Sequence, residues 1–140
     1  EAPVLGKFDA RLISQAFTNI VKNGTEAIAA LPAEERAGAT ITVSARNEGG
    51  DIVVDVVDTG IGLPSENRHR LLEPYMTTRE KGTGLGLAIV KKIIEEHGGR
   101  IELLDSPEVQ RGGHGALIRI TLPGLPVGTV APVAEFEGVK

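Results

Sequence analysis

The order of elements along these 140 residues predicts an α+β fold, a two-layer sandwich with helices on one face of a mixed, mostly antiparallel sheet. Three observations carry that expectation. Two segments repeat apolar residues every three or four positions, the mark of amphipathic helices. Two pairs of short segments alternate or are rich in β-branched residues, with glycine-containing connections between them. The order is helix, strand, strand, long connection, helix, strand, strand.

The first helix is predicted over Ala10 to Leu31. There Ile13, Phe17, Ile20, Gly24, Ile28 and Leu31 recur at helical spacing, and Leu12, Ala16 and Ala27 widen the stripe. Asp9 supplies an N-cap and Pro32 a stop. Thr40 to Arg46 alternates, with Ile41, Val43 and Ala45 on one face. After a turn at Glu48-Gly49-Gly50-Asp51, Ile52 to Val57 is rich in β-branched residues, and the two segments read as a hairpin. From Leu63 to Lys81 the chain turns charged, with few core candidates, and a short helix is expected over Ser65 to Leu72, ahead of Pro74. So long a connection with so little core is expected to act as a lid. The second long helix is expected from near Gly84, through Ile89, Val90, Ile93 and Ile94, to a stop at Gly98-Gly99. Arg100 to Leu104 and Gly115 to Leu122 form the last strand pair, across a loop holding Ser106-Pro107 and Gly112-Gly113. Residues 1–123 thus form one domain, with a lid at 63–81, and residues 124–140 a proline-containing tail.

Composition excludes several function classes. With 41% hydrophobic and 24% charged residues the chain is that of a globular domain, and its net charge of −4 argues against a nucleic-acid partner. No cysteine is present, which removes disulfides, thiolate metal sites and cysteine nucleophiles. No apolar run approaches the roughly 20 residues of a membrane span, and no signal-peptide pattern is expected. Against this ordinary background, 18 glycines concentrated in a few places stand out.

Three clusters could carry chemistry. Asn19 and Asn23 are four apart on the first helix, and Asn23 shares a mostly apolar row with Ala16, Ile20 and Ala27. A bare amide there is costly unless hydrogen-bonded or liganded; backbone satisfaction is the alternative to a ligand. Asp58-Thr59-Gly60-Ile61-Gly62 follows the second strand, and strand alternation puts Asp58 on the face of Ile52, Val54 and Val56. That aims a carboxylate into an apolar layer. Gly60 and Gly62 leave bare backbone beside it, a combination suited to a flat ring with an exocyclic amine such as adenine. An ordinary Asp-x-Gly turn is the bland reading. Asp-Thr-Gly is also the catalytic loop of retroviral-type aspartic proteases, but those are all-β and this chain devotes its best periodicity to helices.

Gly82-Thr83-Gly84-Leu85-Gly86 opens the second long helix. Glycine there costs about 1 kcal/mol per position relative to alanine, and the compensating use is an anion site at the helix N-terminus. The spacing is neither a dinucleotide fingerprint nor a P-loop; a glycine-rich hinge is the alternative. Thr77, Thr78, Arg79 and Lys81, just before it, could meet outer phosphates or simply form a solvated rim. His69, His97 and His114 read as structural or solvent-facing.

Together these residues resemble a family. Asn19 to Asn23 is similar to the N box, Asp58 to Gly62 to the G1 box, and Gly82 to Leu87 to the G2 box of bacterial sensor histidine kinases. Their catalytic domain belongs with DNA gyrase, the Hsp90 chaperones and MutL in one superfamily with the Bergerat-type ATP-binding fold. Leu72 to Lys81 resembles the F-box region and ATP lid, with Tyr75 in place of the usual Phe, and the helix from Leu87 to Gly99 resembles nitrogen-regulation sensor kinases of the NtrY and NtrB type.

The resemblance implies ATP and Mg²⁺ as cofactors. Asn23 would coordinate the metal, Asn19 would lie beside the phosphates, and Asp58, with Gly60 and Gly62, would bind adenine. Gly82, Thr83, Gly84, Leu85 and Gly86 would wrap the phosphates, with Thr78, Arg79, Lys81 or Lys22 at their outer end. It also implies partners: an upstream dimerisation domain bearing the phosphoacceptor His, a response regulator, and a homodimeric full-length protein. The domain would be cytoplasmic, without membrane contact of its own, in a membrane-anchored sensor. Where the gyrase branch has a water-activating Glu, this chain has Asn19, an amide that cannot act as a general base. Gly24 stands where Ala is usual, and Glu26 and Ala27 replace a common Lys and aromatic residue. A free-standing superfamily member, such as an anti-sigma-factor serine kinase or a nucleotide-gated binding module, is the alternative.

Overall fold

The computed structural model describes residues 9–64, 66, 68–73, 86–107, 109 and 113–124. Helix α1 spans Ala10–Ala29 and begins where Asp9 Oδ1 accepts hydrogen bonds from the Arg11 and Leu12 N–H groups at 3.1 and 3.2 Å. It ends two residues before the expected Leu31, whose N–H closes a tight last turn on Ile28 O at 3.0 Å. A single helical turn, α2 (Ala33–Arg36), follows Pro32 and is held back to the end of α1 by Arg36 Nε donating to Leu31 O at 2.9 Å. One turn is too short to show periodicity, so sequence reading passed it over.

The predicted hairpin is present, with both strands slightly longer than expected. Strand β1 (Ile41–Glu48) and strand β2 (Asp51–Asp58) pair antiparallel across Gly49-Gly50. Both turn glycines have positive φ, +60° and +89°, as the two-residue type I′ connection requires. A short 3₁₀ segment over Arg68–Leu72 replaces the helix expected from Ser65. Helix α3 spans Gly86–Glu96, and strands β3 (Arg100–Asp105) and β4 (Ala116–Pro123) complete the set.

The sheet order is β1-β2-β4-β3, and all three pairings are antiparallel. The last strand inserts between β2 and β3, so β2 and β4 form the middle of the sheet. Ile52, Val54 and Val56 of β2 and Ile118, Ile120 and Leu122 of β4 point to one face, where α1 and α3 lie side by side. Ile20, Val90, Ile94 and Ile120 are at most 1% exposed and form the centre of this layer. The α+β two-layer expectation therefore holds. Leu71 and Leu72 pack against the same core, so the segment expected to act as a lid has apolar anchorage midway along it.

The other face of the sheet departs from simple alternation. Val53 and Asp55 of β2 point away from the helices, yet both are buried. Asp55 sits between Arg46 of β1 and Arg119 of β4: Arg119 Nε donates to Oδ1 at 2.8 Å and its Nη2 to Oδ2 at 3.1 Å, while Arg46 Nη1 reaches Oδ2 at 2.9 Å. Burial pushes the Asp55 carboxyl up, but the hydrogen bonds from Arg119 and then Arg46 outweigh it and hold the group below its ordinary range. No described helix is long and apolar enough to cross a membrane.

Candidate functional site

Asp58 ends β2 on the inner face, as strand alternation predicts, and is 3% exposed. Its Oδ1 accepts the Gly60 N–H at 2.9 Å, which orients the carboxylate at the end of the strand. Directly over it runs α1. A Cβ built on Gly24 would lie 3.5 Å from Asp58 Cβ and 3.6 Å from Asp58 Oδ2. Asn23, the neighbour of Gly24, is half-buried, and Asn19 is half-buried one turn earlier. Gly24, next in the chain to Asn23, thus meets Asp58 where the helix crosses the strand end.

The loop after Asp58 lies on the last turn of α1. Ile61 N–H donates to Ala27 O at 3.1 Å, and a Cβ on Gly60 would stand 2.5 Å from the Ala27 carbonyl carbon. Only glycine permits that approach, so Gly60 serves the loop's docking on the helix as well as leaving bare backbone. Thr59 ties the loop to the start of β1: its N–H donates to Thr40 O at 3.1 Å and its Oγ1 accepts the Thr40 N–H at 2.9 Å. Ile61 remains exposed between the glycines.

A third element closes on this loop from the far side, and sequence reading missed it. Gly115, just before β4, has φ +136°, and a Cβ there would collide with Asp58 O at 2.1 Å. Beside it, His114 Nδ1 lies 2.7 Å from Gly60 O and Nε2 lies 3.2 Å from Glu35 Oε1 of α2. Of the two readings open to it, structural or solvent-facing, His114 takes the structural one, as a contact of the Asp58–Gly62 loop. The signal available beforehand was its place between Gly113 and Gly115, since paired glycines mark close backbone approach. His97 does have a structural role: Nδ1 donates to Ile93 O at 2.8 Å and Nε2 accepts the Asp9 N–H at 3.1 Å, joining the end of α3 to the start of α1.

Gly86 opens α3 among the described residues, and the expected start near Gly84 lies outside them. Thr78, Arg79, Lys81, Gly82, Thr83, Gly84 and Leu85 lie outside the described residues. On the near side of that stretch, Arg68 donates from Nε to Pro64 O at 2.8 Å and from Nη2 to Asp105 Oδ1 at 2.9 Å, tying the chain after the loop to the end of β3. No group of three or more His, Cys, Asp or Glu able to hold a metal occurs among the described residues.

The donor set suits a nucleotide with Mg²⁺. A buried carboxylate beside bare backbone matches an amine-bearing ring. An amide oxygen such as that of Asn23 matches a cation that keeps most of its waters and takes one or two protein oxygens plus phosphates.

The comparisons agree with this geometry. Residues 8–126 match the family described as "Histidine kinase-, DNA gyrase B-, and HSP90-like ATPase", and the chain belongs to that family. Within it, the chain is 63% identical over 116 residues to the nitrogen regulation protein NtrY of Azorhizobium caulinodans, across 83% of this chain and 14% of that protein. It spans about one seventh of that relative's length. Among solved structures, the mycobacterial sensor histidine kinase MprB aligns with a TM-score of 0.72 at 28% identity, covering 87% of this chain and 78% of that one. Full-length ShkA in complex with AMPPNP aligns with a TM-score of 0.64 at 25% identity, covering 81% of this chain and 21% of that one.

Proposed function

We propose that this chain is the catalytic, ATP-binding domain of a two-component sensor histidine kinase of the nitrogen-regulation type. It presents the γ-phosphate of ATP to a histidine on a dimerisation domain of the same protein, for onward transfer to a response regulator. The full protein acts as a homodimer anchored at the membrane, with residues 1–123 on the cytoplasmic side, residues 63–81 as the ATP lid and 124–140 as a tail. The observation that carries the reading is the buried Asp58 carboxylate beneath Gly24 and beside Gly60. The ATP analogue bound to ShkA and the 63% identity to NtrY support it.

The residues divide the work by chemistry. Asp58 accepts a hydrogen bond from the adenine amine and repels the carbonyl that guanine has there. Asn23 would hold Mg²⁺, which when bound neutralises phosphate charge, and Asn19 would lie beside the phosphates. Gly82, Thr83, Gly84, Leu85 and Gly86 wrap the phosphates, with Thr78, Arg79 and Lys81 at their outer end. The acceptor imidazole nitrogen forms the new N–P bond as the bond from the γ-phosphorus to its bridging oxygen breaks, leaving ADP. Asn19 has no proton-accepting capacity near neutrality, so the site holds ATP for a protein nucleophile rather than activating water.

Calorimetry of ATP, ADP and GTP with and without Mg²⁺ tests the reading. Adenine nucleotides bind and GTP does not, and Asp58→Asn weakens ATP by about 1–3 kcal/mol, the scale of a lost hydrogen bond to a charged group. Equal affinity for GTP would remove the adenine assignment.

A further inference from the structure

His114 has two partners of a particular kind. Gly60 O, at 2.7 Å from Nδ1, can only accept, and so can the Glu35 carboxylate, at 3.2 Å from Nε2. Both contacts are hydrogen bonds at once only when both ring nitrogens carry hydrogen, which is the imidazolium form. The Gly60–Ile61 peptide that His114 touches is also gripped from its other end, where the Ile61 N–H reaches Ala27 O of α1 at 3.1 Å. The preceding peptide sends the Gly60 N–H to Asp58 Oδ1 at 2.9 Å. A chain of contacts therefore runs from Glu35 on α2 through His114 and Gly60 to the Asp58 carboxylate. Its first two links join residues 79 and 54 apart in sequence.

We propose that His114 is a positioning residue for nucleotide binding, clamping the Asp58–Gly62 loop onto α1 most firmly while its imidazolium bridges Gly60 O and Glu35. This rests on the nucleotide reading of Asp58 given above. Among the described residues, Glu35 is the charged group that faces the ring. The loop presents its carbonyls, and its own carboxylate, Asp58, is turned to the Gly60 N–H. The Glu35 hydrogen bond first, and the Gly60 carbonyl second, hold the His114 ring above the ordinary histidine range. As pH rises through that raised value the Nε2–H and the Glu35 link are lost, while Nδ1–H still reaches Gly60 O. The clamp loosens without letting go. Because linkage is reciprocal, a nucleotide that prefers the clamped loop must in turn favour the protonated ring.

The test follows the His114 ring by NMR titration between pH 5.5 and 8.5, free and with saturating MgADP, alongside MgADP affinities for four proteins. MgADP raises the titration midpoint of the wild-type ring, and Glu35→Gln lowers it and flattens the pH dependence of affinity. His114→Gln, whose amide can still donate to Gly60 O, matches wild type at pH 8 but lacks its tighter binding at pH 6. His114→Ala weakens MgADP about fivefold at pH 6, the low end of ordinary coupling between sites. If MgADP binds but leaves the midpoint unmoved, and the variants bind as wild type does at both pH values, His114 is not a positioning residue. If the wild type binds no MgADP at all, the nucleotide reading fails and this one with it.

Discussion

Gly24 of α1 faces Asp58 of β2 so closely that a Cβ on Gly24 would sit 3.6 Å from Asp58 Oδ2. The structure thus shows what a side chain at this position would touch. A Cβ there would also lie 3.2 Å from Ile41 Cδ1, the far end of a flexible side chain on the edge strand. Gly24→Ala is expected to be accommodated by a small shift of Ile41 and to stabilise α1 by about 0.5–1 kcal/mol through helix propensity. Gly24→Leu fills the space over the carboxylate and is expected to weaken ATP at least about tenfold, or about 1.4 kcal/mol. Thermal unfolding and calorimetry on the two variants read both effects.

Asn23→Ala is expected to abolish the increase in ATP affinity that Mg²⁺ confers while leaving the unfolding temperature nearly unchanged. The side chain is half-buried next to Gly24, so its loss opens no large core cavity. A single oxygen can be decisive for a cation that takes so few from protein. An unchanged Mg²⁺ dependence in the variant would leave Asn23 as a core amide only.

The Asp55 carboxylate predicts an acid-sensitive sheet. Its folded-state value lies below the ordinary one, so the unfolded chain binds the proton more readily. The contribution to stability is therefore complete above the ordinary carboxylate value of about 4 and is lost as pH falls below it, through the folded-state value. Arg119→Ala removes two of the three hydrogen bonds and is expected to cost about 1–2 kcal/mol at pH 7, discounted because the Arg119 side chain is 31% exposed. The loss should shrink as pH falls below the ordinary carboxylate range. Urea unfolding of both proteins between pH 2 and 7 checks the sign as well as the size.

Incubated with labelled ATP, the 140-residue chain is expected to take up no acid-labile phosphate. His97 is engaged by Ile93 O and Asp9 N–H, and His114 by Gly60 O and Glu35, so neither offers a nitrogen to an incoming phosphoryl group, and His69, exposed on the 3₁₀ segment, is the position to inspect for label. Supplying the dimerisation domain separately should restore labelling weakly, because the effective concentration set by the linker is lost. Acid-labile label on the chain alone would overturn the proposal. Acid-stable label on a serine of another protein would favour an anti-sigma-type kinase.

What could be read from sequence alone was local. The Asp9 cap, the shared face of Asn19 and Asn23, the Gly49-Gly50 hairpin and the inward aim of Asp58 all follow from the periods of helix and strand and from turn chemistry. Those periods place the N-box and G1-box residues on known faces of neighbouring elements. Tertiary structure decided which elements meet. The insertion of β4 between β2 and β3 brings Arg119 to Asp55 across 64 residues and His114 to Gly60 across 54. It buries a carboxylate on the face that alternation alone would leave to solvent, and it turns a loop histidine into a contact of the candidate site. Strand order and register depend on packing between distant segments, and the side-chain pattern within a single element records the face it buries, not the partner it meets.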